Sequence, residues 1–233
     1  CPKNSVVALI SPARELTIWR DGVTHAVRVD GRVSAAAWSP DGRFAVLTVY
    51  PADWSVHAVN NAPTTDEFLR LQNSDLYLLD SSSMQIIGGL TDDPGTEYGA
   101  FFAPDGKSLF YIWLHSTENE GGLMRLGLGD DGGPPTSGAS RQLTHAGADV
   151  GQVPLGRVGT YLWLDDRSGM IFEAGLPDGS GEIWFMSQDG RQSRRMGEGR
   201  YPQRLAGGRI AYLAPDGTPS VLAVSAPGPG VNP

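Results

Sequence analysis

The side chains that could act as nucleophiles, bases or metal ligands form no recognisable catalytic pattern in this 233-residue sequence. The Gly-x-Ser-x-Gly pentapeptide that marks α/β-type serine hydrolases is absent. The histidines His25, His57, His115 and His145 lie far apart in the sequence and lack the i, i+4 spacing of a helical zinc site. The sequence therefore predicts no catalytic residue, no metal site and no cofactor.

Three acidic pairs lie in glycine-containing segments, at Asp92-Asp93, Asp130-Asp131 and Asp165-Asp166. Calcium prefers about six to eight oxygen ligands, and none of the pairs has the Asp-x-Asp-x-Asp-Gly spacing of a calcium-binding loop. We interpret the pairs as turn-forming, solubilising residues, with calcium binding as the alternative. Paired carboxylates could also serve a glycosidase, but the sequence places no two of them at the required separation.

Cys1 is the only cysteine, which excludes an intramolecular disulfide, a thiolate-rich metal site and covalent haem attachment. A sequence that starts at cysteine resembles a matured bacterial lipoprotein, whose first cysteine carries acyl chains. Each buried methylene would contribute about 0.8 kcal/mol to membrane binding. We expect lipid attachment at Cys1, residues 1–5 as a short tether, and a periplasmic or cell-surface location at a membrane. The alternative is a proteolytic boundary that happens to fall at cysteine.

The net charge of −8 and the pI near 4.9 argue against a nucleic-acid partner, because such binders neutralise phosphates with basic residues. The segment at residues 191–209 is basic, although the chain as a whole is acidic. Its only acid is Glu198, and its six arginines are Arg191, Arg194, Arg195, Arg200, Arg204 and Arg209. The ordinary interpretation is a solvated strand edge. The functional one is contact with anionic headgroups or an acidic partner.

Glycine and proline together (31 and 17 residues) exclude long helical bundles and favour turn-rich β structure. The sequence also repeats itself. Trp38-Ser39-Pro40-Asp41-Gly42 is matched by Phe102-Ala103-Pro104-Asp105-Gly106, and a degenerate copy surrounds Trp163. A further Pro-Asp-Gly triplet stands at 215–217. Proline sets the first turn position, aspartate accepts from its own backbone and glycine takes positive φ, so each copy predicts a β-hairpin. We expect Trp38, Phe102 and Trp163 to pack between sheets.

The repeats divide the sequence into about five units, at residues 5–29, 33–91, 97–144, 157–197 and 200–226. The predicted fold class is an all-β propeller of about five four-stranded blades within residues 6–226, followed by a tail at 227–233. Insertions at 51–73 and 130–140 lengthen the repeat. The strand Val6 to Ile10 is expected to complete the last blade, with an open ring capped by another protein as the alternative.

These motifs resemble the TolB-type, WD40-like (PD40) β-propeller family. The resemblance rests on Ser39-Pro40-Asp41-Gly42-Arg43, on Ala103-Pro104-Asp105-Gly106-Lys107, on the strand 75–80, and on the Leu-Thr pairs at 90–91 and 143–144. It implies an interaction scaffold of the bacterial envelope or an accessory propeller of a peptidase. Such propellers usually have more blades than the five units found here.

The insertion at 51–73 is too long for a blade turn and too apolar for a flexible linker. We interpret it as a docking loop, with a self-packed cover over one mouth of the propeller as the alternative. The candidate partner-binding residues are Tyr50, Trp54, Phe68, Arg191, Arg194, Arg195 and Arg200.

The predicted function is that of a non-catalytic, lipid-anchored scaffold or accessory subunit, whose partner is a membrane-protein complex or another envelope protein. The alternative is a propeller that binds a small ligand or a glycan, or a hydrolase with its site at the central channel.

Overall fold

A computed structural model describes residues 6–114, 121–129, 133, 141–142, 158–164, 168–175, 180–187 and 192–223. The chain divides into two compact units, residues 1–142 and 143–233. Cys1, Arg191, the tail at 227–233 and most of the second insertion lie outside the described residues. Among the described residues, no helix is long and apolar enough to cross a bilayer.

The first unit contains three antiparallel sheets among its described residues. The first sheet has the order β1-β2-β3, the second β4-β5-β6-β7 and the third β11-β10-β9-β8. Their strands are β1 (Val6–Ile10), β2 (Leu16–Arg20), β3 (Val23–Val27), β4 (Arg32–Trp38), β5 (Phe44–Tyr50), β6 (Asp75–Asp80), β7 (Gln85–Gly89), β8 (Thr96–Phe102), β9 (Ser108–Leu114), β10 (Gly121–Gly127) and β11 (Arg141–Gln142). Two helices, α1 (Val56–Asn60) and α2 (Thr65–Gln72), connect β5 to β6.

The second unit contains two antiparallel sheets among its described residues. The fourth sheet of the chain has the order β12-β13-β14-β15 and the fifth β16-β17-β18. Their strands are β12 (Val158–Trp163), β13 (Gly169–Gly175), β14 (Gly181–Ser187), β15 (Ser193–Glu198), β16 (Arg200–Leu205), β17 (Arg209–Leu213) and β18 (Pro219–Ala223). The described sheets thus match the five predicted units, although the first and the last have three strands each.

The Pro-Asp-Gly signature forms the turn between two consecutive strands of a sheet, namely β4 and β5, β8 and β9, or β17 and β18. Asp41 accepts a hydrogen bond from the Arg43 amide at 3.0 Å, and Gly42 has a φ of 72°. The same two features recur in the third and fifth sheets, at Asp105 and Gly106 and at Asp216 and Gly217. The Ser39 hydroxyl donates to Asp41 at 2.6 Å, which keeps the pKa of that carboxyl below its ordinary value. The predicted hairpins are confirmed at these three places.

Apolar side chains fill the space between consecutive sheets within each unit. Strand β5 is buried on both faces, because Leu47 contributes to the core with the first sheet and Val46 to the core with the third. In the second unit, Ile183 of the fourth sheet and Ile210 of the fifth share a core. Full burial of such side chains stabilises a protein by about 1.5–3 kcal/mol each, so this stacking is the main favourable contribution to the fold.

The three aromatic residues at equivalent hairpin positions differ in burial. Phe102 is buried in the core between the second and third sheets, and Trp38 is partly buried against the core of the first and second. Trp163 is also partly buried, and its indole nitrogen is shielded from solvent. The expected packing between sheets is therefore complete only at Phe102.

The N-terminal strand does not complete the last sheet, and that prediction was wrong. Strand β1 pairs with β2, with Val6 opposite Arg20 and Ile10 opposite Leu16. The reversal at residues 11–15 is closed by backbone hydrogen bonds from Ser11 to Glu15 and from Arg14 to Ser11. A hairpin with so short a loop costs less chain entropy than pairing with a strand about 200 residues away.

One face of the first sheet remains open to solvent. Val7, Leu9 and Trp19 lie on this face with exposed fractions of 42%, 51% and 37%, and Val7 stands directly opposite Trp19. On the other face, Leu16 and Ile18 pack against the second sheet. The first sheet is therefore apolar on both faces but covered on only one.

Candidate docking site

Strand alternation places four connections of the first unit, the longest one among them, at one edge of its sheets. Because neighbouring strands are antiparallel, the β5–β6 insertion emerges at the edge opposite the Pro-Asp-Gly turns. The β1–β2, β3–β4 and β7–β8 connections emerge at the same edge as the insertion. We call this edge, residues 11–15, 28–31, 51–74 and 90–95, the insertion edge.

The start of the insertion is clamped by two arginines. The guanidinium of Arg14 lies over the Trp54 ring at 4.4 Å, and the Trp54 and Tyr50 rings are 5.2 Å apart. Arg32 donates to the Ala52 carbonyl at 2.9 Å and to the Ala13 carbonyl at 2.6 Å. Two of the predicted site residues, Tyr50 and Trp54, are therefore brought together, and Arg14 completes the group.

Side-chain caps fix the two helices of the insertion. Ser55 accepts a hydrogen bond from the Ala58 amide at 3.0 Å and thereby caps α1. Thr64 accepts from the Glu67 amide at 3.1 Å and caps α2. Arg70 then binds both Glu67 and Asp53, and its hydrogen bonds, with its positive charge, keep the pKa of each carboxyl below its ordinary value. These contacts join α2 to the segment that precedes α1.

The insertion contains one fully buried apolar side chain and two large apolar side chains that are exposed. Leu71 is 2% exposed and holds α2 against the fold, whereas Phe68 is 38% and Val56 66% exposed. No residue of α1 is buried. Phe68, a predicted site residue, is thus available to solvent, and in the described structure it is not part of the contact group at Trp54.

Hydrogen bonds hold the end of the insertion against the start of the third sheet. The Asn73 side chain accepts from the Gly95 amide at 2.7 Å, and Thr96 donates to the Gln72 carbonyl at 2.8 Å. The buried Ser74 donates its hydroxyl to the Glu97 carbonyl at 2.6 Å. The insertion is therefore an ordered helical segment held at both ends, rather than a loop that acquires structure only on binding.

A buried acid, Glu97, directly follows these hydrogen-bonded residues at the start of the third sheet. Glu97 is 0% exposed, and neither carboxyl oxygen has a hydrogen-bond partner among the described residues. Burial, with the nearby charges of Asp75, Asp93 and Asp92, raises its pKa to about 9. Burial and the charges of Asp92 and Asp93 also raise the pKa of Asp75, to about 6. Nothing in the sequence pattern indicates that these two carboxyls are buried.

The described arginines predicted to bind a partner lie in the second unit, where two of them contact glutamates. Arg195 binds Glu182 and Glu198, with N–O distances of 2.5 and 2.8 Å. Arg200 lies 3.8 Å from Glu173 and donates to a carbonyl at 3.1 Å. Both line a cavity of about 520 Å³. The exposed Arg194 lies over the Phe185 ring at 5.6 Å.

Three other arginines, which the sequence analysis did not single out, surround one cavity at the insertion edge. Arg14, Arg28 and Arg32 line a space of about 870 Å³. They are dispersed among other residues of the sequence, so a search for a dense arginine segment misses them. A search for the arginines beside predicted strand ends of one edge would have found them.

Comparison with solved structures places these sheets in a known architecture. An oligogalacturonate lyase in complex with manganese matches with a TM-score of 0.63 at 11% identity, over 92% of this chain and 61% of that one. TolB from Acinetobacter baumannii matches with a TM-score of 0.53 at 16% identity, over 92% and 50%. The β-propeller domain of the Trilobed protease from Pyrococcus furiosus matches at 0.51 and 11%, over 89% and 58%.

The chain is an all-β propeller. The predicted fold class is confirmed, and so is the resemblance to TolB-type propellers at the level of the fold. The propeller spans less than two thirds of the length of each of these structures. No family model and no curated protein matches its sequence. In the described part of the propeller, no group of three or more histidine, cysteine, aspartate and glutamate residues could hold a metal ion.

Proposed function

We propose that this propeller is a non-catalytic interaction scaffold, an accessory or stabilising subunit of a membrane-protein complex in the bacterial envelope. The observation that carries the proposal is the insertion, which is fixed at both ends and still exposes Val56 and Phe68. A rigid segment that presents apolar side chains loses little conformational entropy when a partner covers them.

The composition of the insertion edge supports the same function. Protein interfaces are enriched in tryptophan, tyrosine and arginine at the positions that contribute most binding energy. Here Tyr50, Trp54 and Arg14 form one contact group, and Val56 follows Trp54 closely in the sequence. The candidate docking surface is therefore the insertion edge of the first unit.

The location at a membrane and the lipid on Cys1 remain proposals that rest on the sequence. Mass analysis of the N-terminal peptide from native material tests the lipid directly. A peptide mass that shows an unmodified Cys1 thiol would remove the anchoring from the proposal but leave the docking surface in place.

We expect the double variant Val56→Gln, Phe68→Gln to lose the partner. Glutamine retains helix propensity while it removes the apolar contact area. The tagged protein, purified from membranes in mild detergent, should retain a stoichiometric partner, and the double variant should retain about a tenth of it or less. This loss corresponds to at least about 1.4 kcal/mol of binding free energy.

The matched control replaces exposed apolar residues outside the insertion, namely Ile87 (40% exposed) and Val221 (54% exposed), with glutamine. These variants should retain the partner as the wild type does. Equal retention by the insertion variant would contradict the proposed docking surface. Deletion of 51–73 is a poorer test, because it removes the bonds of Arg32 and Asn73 as well.

The alternative function, a small-ligand or glycan-binding propeller or a hydrolase, remains a proposal of second rank. Recovery of the protein from membranes without any partner, together with a bound small molecule in the purified sample, would favour it over the scaffold.

A further inference from the structure

The cavity beside Arg14, Arg28 and Arg32 has the size of a ligand site. Its volume of about 870 Å³ falls within the range of about 300–1,000 Å³ that is usual for such sites. It is bounded by the β1–β2 and β3–β4 connections and by Ala52 at the start of the insertion. One wall therefore belongs to the first sheet and another to the docking surface proposed above.

The charges at this cavity differ from those of the rest of the protein. The chain carries a net charge of −8, yet three arginines face two acids here, Glu15 and Asp30. In the described structure no carboxylate lies within ion-pair distance of Arg14, Arg28 or Arg32. The arginines therefore remain available to a carboxylate that arrives from outside.

Two of the three guanidinium groups are held in place before any ligand binds. Arg32 uses Nε and one terminal nitrogen for the Ala52 and Ala13 carbonyls, which leaves its remaining N–H groups for another acceptor. Arg14 is held over the Trp54 ring. Because a fixed guanidinium loses little freedom on binding, a carboxylate contact here retains most of its energy.

A smaller cavity adjoins the first and is partly apolar. It measures about 170 Å³, shares Ala13, Arg14 and Arg32 with the larger one, and is lined also by Pro12, Trp54, Ser55 and Val56. A ligand that places a carboxylate on the arginines can therefore place an apolar group beside Trp54.

We infer that this pair of cavities binds an acidic peptide segment of the partner protein, in which aspartate or glutamate alternates with an apolar residue. The inference rests on the proposed scaffold function and names the chemistry that the docking surface recognises. A peptide fits the two cavities because it carries carboxylates and apolar side chains close together on one backbone, as the arginine-lined cavity and the partly apolar cavity adjoin one another at the insertion edge.

The test is calorimetric titration of the whole protein with a synthetic peptide of alternating aspartate and leucine, and with its asparagine–leucine counterpart. We expect the acidic peptide to bind and the amide counterpart to bind at least about tenfold more weakly. Arg28→Glu should weaken binding of the acidic peptide by tenfold or more relative to the wild-type protein. The variant should still fold, since Arg28 is exposed and makes no described bond that the fold needs. Arg14→Gln is the second variant and should also weaken binding.

The matched control is Arg209→Glu, the same charge reversal at an exposed residue of the second unit, which should bind the acidic peptide as the wild type does. Three results would overturn the inference: equal affinity for both peptides, equal affinity of the Arg28→Glu and control variants, or binding of an oligogalacturonate instead of the peptide.

Failure of this inference can be told apart from failure of the scaffold proposal. If a membrane partner co-purifies and Arg28→Glu retains it, the cavity assignment is wrong while the scaffold remains. If no partner co-purifies but the acidic peptide binds through Arg28, the scaffold proposal fails and the site remains.

Discussion

Replacement of Gly31 with alanine is expected to destabilise the propeller by about 3 kcal/mol or more, as measured by urea unfolding. Gly31 immediately precedes β4 and has a φ of +148°, a backbone angle that residues with a side chain rarely adopt. A Cβ atom there would lie 2.5 Å from both the Tyr50 carbonyl oxygen and the Val49 side chain. Backbone strain of about 1–3 kcal/mol thus adds to an overpacking cost of similar size.

The control is Gly42→Ala in the Pro-Asp-Gly turn. Gly42 also has a positive φ, of +72°, but an added Cβ meets no atom within 4 Å. The control should therefore lose only about 1 kcal/mol, the backbone contribution alone. If the two variants unfold at the same urea concentration, the close approach of Gly31 to β5 contributes nothing and the explanation is wrong.

The same close approach of a glycine to the neighbouring strand recurs at the start of two other sheets. Gly95 precedes β8 and Gly199 precedes β16, with φ of +143° and +149°. Each would place a Cβ against the carbonyl of the strand paired with it, Leu114 at 2.6 Å and Leu213 at 2.5 Å. Glycine is thus required where the chain enters each of these sheets.

The stability of the protein is expected to fall as the pH rises from about 4.5 to about 9, and Glu97 is the reason. Its pKa is about 9 in the folded protein and near its ordinary value of 4.5 when unfolded, so the folded state binds the extra proton throughout this window. Stability then falls with pH by up to about 1.4 kcal/mol for each unit, and the decrease ends above the folded pKa.

Glu97→Gln should remove most of this slope, because the amide is isosteric with the protonated acid and does not titrate. Unfolding by urea at a series of pH values, for wild type and variant, measures the effect. Asp75, whose pKa of about 6 lies above the ordinary 3.8, leaves a smaller slope of the same sign between those two values.

A control of opposite sign is available at Asp41, whose pKa is lowered by the Ser39 hydroxyl. Its stabilisation is present above its unfolded pKa and is lost as the pH falls below it, so Asp41→Asn should alter only the acid side of the profile. If the Glu97→Gln slope equals that of the wild type, the buried acid is not the source of the pH dependence.

The repeat predicted the architecture because its information is local. Proline, aspartate and glycine in sequence determine a turn without help from distant residues, and the described turns at Asp41, Asp105 and Asp216 have the expected bonds. The pairing of β1 could not be predicted in the same way. The strand is apolar enough to join any open sheet edge, and only the bonds within residues 11–15 decide which one.

The candidate site also combines features that local sequence determines with features that depend on distant residues. Thr64 and Glu67 have the spacing of a capping box, so the sequence contains a signal for a helix in the insertion. The length and the apolar character of the insertion, on which its interpretation as a docking loop rests, do not by themselves indicate a helix. The burial of Glu97 left no trace in the sequence, because it depends on the packing of a neighbouring sheet. Arg195 shows the reverse case: it belongs to a dense basic segment of the sequence, yet in the structure it pairs with Glu182 of an adjacent strand.

The connections between paired strands of the first unit differ in how much chain they can accommodate. The turns at Gly42 and Gly106 are tight, and a longer segment there would disturb the register of the strands on either side. The edge that carries α1 and α2 already holds more than twenty residues between two paired strands without altering their alignment. This connection is therefore the natural place for protein engineers to graft a foreign epitope or a reporter tag onto the molecule.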